Sequence, residues 1–256
     1  MVKFVANTFG VDNSNLYELD GYQPIDGDPV LNISSKYKKG VLKVEVDHGS
    51  ILKYKIAKIE VSQNKADKLF SGNWEPKVFK GDDTIKGSTQ NDTLYGVKGE
   101  DKISGFSGND WLFGGSANDQ LYGGDGQDSL AGGAGADFLD GGTGFNYLTG
   151  NGGKDIFSFS VALTGGNYSE IIDFKHKKDK IQVDNDVFKG VGGKGDLKAG
   201  HFSTLEDYTG KQKTIIYDED TGTLSYSKDG GFYSNAQSFG RVKIGTDLDH
   251  HDFLVA

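Results

Sequence analysis

The chain is predicted to be all-β, built around a right-handed coil of very short strands, and three observations predict it. A nine-residue pattern runs without a gap to Ser158 in nine copies, the first of them recognisable from Gly81 at its fourth position. One position of that pattern is always large and apolar, and another is almost always aspartate. A fixed short period of this kind marks a stack of small repeats, each of which buries its apolar side chain only against its neighbours.

The clearest copies are Gly123-Gly124-Asp125-Gly126-Gln127-Asp128-Ser129-Leu130-Ala131 and the nine residues that follow it, Gly132 to Asp140. Their template is G-G-x-G-x-D-x-U-x, with U apolar. Position six holds Asp83, Asp92, Asp101, Asp110, Asp119, Asp128, Asp137, Asn146 and Asp155. Position eight holds Ile85, Leu94, Ile103, Leu112, Leu121, Leu130, Leu139, Leu148 and Phe157. Glycine permits a tight turn at positive φ and lets backbone carbonyls converge. The x-U-x triplet is a short strand with U inward and its neighbours outward, because strand side chains alternate. Two nonapeptides complete one turn of the coil, so each copy stacks on the copy eighteen residues away. A flexible glycine-rich linker is the competing reading, and the unbroken apolar ladder at position eight argues against it.

Several carboxylates and turn carbonyls, with no His or Cys among them, form a hard oxygen donor set that suits Ca2+ rather than zinc or copper. On these residues the chain resembles the RTX (haemolysin-type) calcium-binding nonapeptide-repeat family. The resemblance implies a right-handed parallel β-roll with several calcium ions in two columns along its edges. Carried over residue by residue, it places Asp83, Asp101, Asp119, Asp137 and Asp155 in one column. Asp92, Asp110, Asp128 and Asn146 fall in the other, and the turn glycines Gly115, Gly124, Gly126, Gly133, Gly135, Gly142 and Gly144 supply the backbone. Ser88, Gln90, Val97 and Ala117 replace template glycines, and Asn146 keeps an acceptor oxygen but loses a charge. The best sites are therefore expected between Asp110 and Asp155.

Charge is distributed unevenly. Residues 81–158 carry a net charge of −8 out of −9 for the 256-residue chain. Packed anions repel until cations neutralise them, so the roll is expected to fold on binding calcium, with a Kd on the order of 10⁻⁴ to 10⁻³ M as in extracellular modules. Hydrophobic content is 35% with 39 glycines, which suits a repeat coil better than a globular enzyme. There is no cysteine, so calcium rather than disulfides is the expected staple. The N-terminus, Met1-Val2-Lys3-Phe4-Val5, shows no secretory apolar run, and no transmembrane segment is expected. A nucleic-acid partner is not expected either.

Three domains are expected: residues 1–76, 77–158 and 159–256. The first contains all three prolines and reads as a small antiparallel β domain. Val41 to Val46 alternates, and Asp47-His48-Gly49-Ser50 reads as a hairpin turn with His48 solvated at its tip. Ile51 to Ala66 is also compatible with a helix. Asp28-Pro29 reads as a plain turn.

In the roll, outward residues of alternate copies separate by face. Tyr95, Trp111, Phe113 and Tyr147 fall on one face, with Thr93, Ser129, Ala131 and Thr149 between them. Such an aromatic patch is either covered by another part of the chain, the main expectation, or is a ligand face for a polysaccharide or a surface protein.

Beyond the repeats, Glu170 to Phe174 and Asp179 to Ile181 resemble the strand pair that closes the roll in this family. Asp218 to Tyr226 resembles the next hairpin, whose acidic tip is expected to be a solvated turn. Asp252-Phe253-Leu254-Val255-Ala256 resembles the C-terminal signal read by type I secretion machinery in Gram-negative bacteria. No H-E-x-x-H helix or G-x-S-x-G elbow occurs, and catalysis is not expected. His176 is expected in a solvated turn, and His250 and His251, as strand neighbours, should face opposite sides and make a poor metal pair. The expected protein is secreted and extracellular: a calcium-binding roll that folds outside the cell for surface, matrix or host interaction. The alternative is a carbohydrate-binding module resembling the repeat modules of alginate-modifying enzymes.

Overall fold

The computed structural model describes the strands at 32–38, 41–47 and 53–60, and residues 81–163 and 166–256. Within the repeats each copy contributes one strand. These are β4 (Thr84–Lys86), β5 (Thr93–Tyr95), β6 (Lys102–Ser107), β7 (Trp111–Ser116), β8 (Gln120–Asp125), β9 (Ser129–Ala134), β10 (Phe138–Thr143), β11 (Phe145–Gly152) and β12 (Ile156–Phe159). Odd copies pair in one parallel sheet in the order β4-β6-β8-β10-β12, and even copies in another in the order β5-β7-β9-β11. The register matches residues eighteen apart, as in Ile103 with Leu121 and Leu112 with Leu130. The fold is the expected parallel β-roll.

Between the sheets lie two columns of position-eight side chains, all buried. Ile85, Ile103, Leu121, Leu139 and Phe157 stack on one side, and Leu94, Leu112, Leu130 and Leu148 on the other. Each buried aliphatic of this size contributes about 1.5–3 kcal/mol. Because the interior is one side chain wide per sheet, no single copy has a core without its neighbours.

Three N-terminal strands precede the roll: β1 (Asn32–Lys38), β2 (Val41–Asp47) and β3 (Lys53–Glu60). They form an antiparallel meander, and β3 pairs antiparallel with β4 to join the odd sheet. Lys53–Glu60 is thus a strand, not the helix that its composition also allowed, and its β-rich Ile and Tyr content fits. The tip at His48 and the Asp28-Pro29 turn lie outside the described residues.

At the other end the period stops but the stacking does not. β13 (Tyr168–Ile171) lies parallel to β11, and β14 (Lys180–Val183) lies parallel to β12. The cap adds β15 (Gly195–Asp196), β16 (Phe202–Thr204), β17 (Thr214–Asp218), β18 (Thr223–Ser227), β19 (Gln237–Arg241) and β20 (Phe253–Val255). The β17–β18 pair is the anticipated antiparallel hairpin, and β20 docks in parallel on β14. Ile181 and Phe253 thereby extend the apolar column of Phe157, while Phe159, Phe188 and Phe239 close it with edge-on ring contacts at 4.9 Å.

Candidate metal centre

All nine position-six side chains are buried at the turns. Their first carboxylate oxygens build a ladder along each edge. Asp101 N–H donates to Asp119 Oδ1 and Asp119 N–H to Asp137 Oδ1, both at 2.8 Å. On the opposite edge Asp92 donates to Asp110, and Asp110 to Asp128, at the same distance. The position-six residues that the resemblance assigns to two columns are thus joined along two hydrogen-bonded chains. Position-five residues form a second ladder running the other way: Asn91, Asn109 and Asn118 accept from the backbones of Asn109, Gln127 and Ala136.

The second oxygens are different. Oδ2 of Asp110, Asp119, Asp128, Asp137 and Asp155 is buried with no hydrogen-bond partner among the described residues. Burial pushes the Asp119 carboxyl up to about 7; the Asp101 N–H opposes this, and the Asp101, Asp137 and Glu100 carboxylates add to it. Burial likewise raises Asp128 and Asp137 to about 6, and raises Asp110 and Asp155. A desolvated anion without donors carries a penalty of several kcal/mol, which a bound cation removes.

A backbone carbonyl accompanies several of these oxygens. A Cβ added to Gly114 would lie 2.4 Å from Asp119 Oδ2 and 2.5 Å from the Gly132 carbonyl. At Gly123 the same two distances, to Asp128 Oδ2 and the Gly141 carbonyl, are both 2.5 Å, and Gly105 is similarly placed between Asp110 and Gly123. Position one is therefore glycine because an oxygen cradle lies against its Cα. The sequence carried that signal, since every copy from Gly87 to Gly150 begins with glycine, although attention falls first on positions two and four. The glycines at those positions, Gly115, Gly124, Gly126, Gly133, Gly135, Gly142 and Gly144, all have positive φ and pack their Cα against a carbonyl of the turn below.

Departures from the template have local consequences. Val97, Ala117 and also Phe106 adopt positive φ where glycine is the unstrained choice. In the second copy the Ser88 N–H donates to Asp92 Oδ2, so that carboxylate is already satisfied. Asn146 gives its oxygen to the Asp128 N–H and turns its amide nitrogen to the Gly142 carbonyl. An N–H2 thus stands where other copies present a bare oxygen.

The odd ladder does not end with the repeats. Asp155 N–H donates to Oδ1 of the buried Asp179, and Lys175 donates its Nζ to the Asn151 carbonyl beside Asp173. Asp179 escaped the periodic reading because it lies 24 residues on instead of eighteen.

Tyr95, Trp111, Phe113 and Tyr147 share one face of the even sheet, as their spacing implied. Tyr95 and Phe113 stack at 4.8 Å with nearly parallel rings, and Trp111 stacks on Phe113 at 6.3 Å. The main expectation, that another segment covers this patch, is not met among the described residues: Tyr95 is 51% and Trp111 56% exposed. Strands β13 to β20 extend the two sheets along the stack instead of folding back over the face.

Two further expectations are corrected in the cap. His176 is not in a solvated turn, because its Nδ1 pairs with buried Asp252 at 2.7 Å. His250 and His251 are not on a strand. They sit in a 3-10 turn with ring centroids 3.8 Å apart, since Asp249 and Asp252 form a capping box around them. The acidic hairpin tip is a turn, with Asp218 accepting from Asp220 and Thr221.

Comparison with known proteins places these features. No curated protein matches the chain. Among solved structures, the AlgE6R2 subunit of the Azotobacter vinelandii mannuronan C5-epimerase is 23% identical, over 67% of this chain and 91% of that one, with a TM-score of 0.30. The AlgE6R3 subunit of the same enzyme is 19% identical, over 68% and 78%, with a TM-score of 0.24. Residues 79–105, 104–139 and 131–160 match the model of the RTX calcium-binding nonapeptide repeat. The three segments run together, so residues 79 to 160 carry the RTX (haemolysin-type) calcium-binding nonapeptide repeat.

Proposed function

We propose that this is a secreted calcium-binding protein whose repeats order into the β-roll when Ca2+ binds outside the cell. The observation that carries the reading is the set of buried, donorless Oδ2 atoms of Asp110, Asp119 and Asp128, each beside a stacked glycine carbonyl. The ions would be held by the position-six carboxylates together with backbone oxygens of the turns, all hard donors. Calcium would supply the charge that lets a segment of net charge −8 stack. The C-terminal Asp252 to Ala256 segment would serve as the address for type I export from a Gram-negative cell, and the folded object would act in surface, matrix or host contacts without catalysis.

A far-UV circular dichroism titration of metal-stripped protein with calcium, using magnesium as control, tests this. Cooperative gain of β signal at high micromolar to millimolar calcium is expected, the range of extracellular modules at about 10⁻⁴ to 10⁻³ M. Full β signal in the metal-free protein would refute the folding switch.

A second reading is favoured by the exposed, nearly coplanar Tyr95 and Phe113 rings beside Trp111: a surface on which a polysaccharide stacks.

A further inference from the structure

Four of the five histidines, His176, His201, His250 and His251, lie in the C-terminal cap, and two of them share one turn. That turn is held from both sides. Asp249 Oδ1 accepts the His251 N–H at 2.7 Å, and Asp252 Oδ2 accepts the Asp249 N–H at 2.9 Å. Asp252 is itself buried and accepts the Lys177 N–H at 3.0 Å, which ties the turn to the segment just before β14. Lys180 Nζ donates to the His251 carbonyl.

The consequence is a cluster of nitrogen and oxygen donors with little freedom to spread. One ligand atom each from Asp249, His250 and His251 lies within 4.8 Å of the others. His251 Nδ1 is 3.2 Å from Asp249 Oδ1. Two ligands about 2.0–2.1 Å from a tetrahedral zinc ion are separated by roughly 3.3 Å, so this pair already has the span of one coordination edge. A second pair borders it. His176 Nδ1 is committed to Asp252, which leaves Nε2 with its lone pair, 3.8 Å from Asp247 Oδ2. A carboxylate on the far ring nitrogen is the usual way in which a metal-ligating histidine is fixed.

We propose that the Asp249–Asp252 turn binds one divalent first-row transition-metal ion of the Zn2+ class through Asp249, His250 and His251, with His176 and Asp247 at its edge. Imidazole with carboxylate suits that class, whereas calcium takes the all-oxygen turns of the repeats. The chain thus separates two kinds of cation by donor type. The transition metal would pin the C-terminal strand β20 to the turn carrying His176.

The full chain, saturated with calcium so that the oxygen sites are occupied, is titrated with Zn2+ against a chromophoric chelator. One zinc per chain is expected, with at least a tenfold loss of affinity in H250A/H251A. The calcium-dependent circular dichroism of that variant should match the parent, which separates loss of ligand from loss of fold. Co2+ gives a second readout: its visible spectrum should shift on binding the parent chain but not the variant. No zinc binding in the calcium-loaded protein overturns the proposal. So does zinc binding that changes less than twofold in the variant, which would place the ion elsewhere.

Discussion

The backbone N–H of Asp119 donates to Oδ1 of Asp137, eighteen residues along the chain and 2.8 Å away. Oδ2 of the same Asp137 is buried with no partner among the described residues. One carboxylate is therefore both a rung of the scaffold and an open ligand. Its ionisation state should control the stability of the metal-free roll. Asp119 titrates at about 7 in the folded chain and near 3.8 unfolded. Between those values the folded state binds more protons, so stability falls as pH rises through the window. The metal-free protein should therefore retain more far-UV β signal near pH 5 than near pH 7.5. Calcium, which needs the deprotonated form, should add more of that signal at the higher pH. Equal metal-free signal at both values would contradict the assignment of these carboxyls.

Position one and the turn end should differ sharply in tolerance. Gly123→Ala places a methyl 2.5 Å from both Asp128 Oδ2 and the Gly141 carbonyl. It should cost about 1–3 kcal/mol and weaken calcium binding. Gly152→Ala meets no atom closer than 3.6 Å and should be within about 0.5 kcal/mol of the parent. Chemical denaturation with and without calcium reads both.

Asn146→Asp replaces an amide nitrogen by an oxygen at one rung of the even column. Isothermal titration should show added calcium affinity or one more ion per chain. Without calcium the extra charge should lower the residual β signal further. A calcium isotherm identical to the parent would mean that this turn takes no part in binding.

Trp111 and Tyr95 are exposed, and their ring contacts among the described residues are with Phe113 on the same face. Trp111→Ser with Tyr95→Ser should cost about 0.5–1.5 kcal/mol per lost ring pair in calcium, leaving the roll folded. If the polysaccharide reading holds, retention on an immobilised anionic glycan should be lost in this variant. Retention that survives the change would assign it to another surface.

The roll was legible because its constraints are periodic. Leu121 and Asp119 recur as types every nine residues since both must face inward in every copy. What escaped had no period to betray it. Asp179 completes the odd ladder after a longer connection, and only the strand register of Lys180 with Ile156 brings it into line. His250 and His251 share a turn because Asp249 and Asp252 cap it from three residues apart, a local hydrogen-bond choice that alternation does not describe. The Gly132 carbonyl beside Asp119 carries no side-chain signature at all.

The ladder has a direction. In the odd column each position-six N–H reaches for the carboxylate of a later copy, so each of these copies is completed by one downstream and the chain of rungs is closed by Asp179 in the cap. Such a stack behaves as a one-dimensional crystal with unlike ends. The face toward the cap offers N–H donors in search of a carboxylate, and the cap presents one, Asp179, to receive the last of them. Added order has a natural seed at the C-terminal end, and a chain cut after Ser158 would keep all nine repeats yet lose the surface on which the last of them settles.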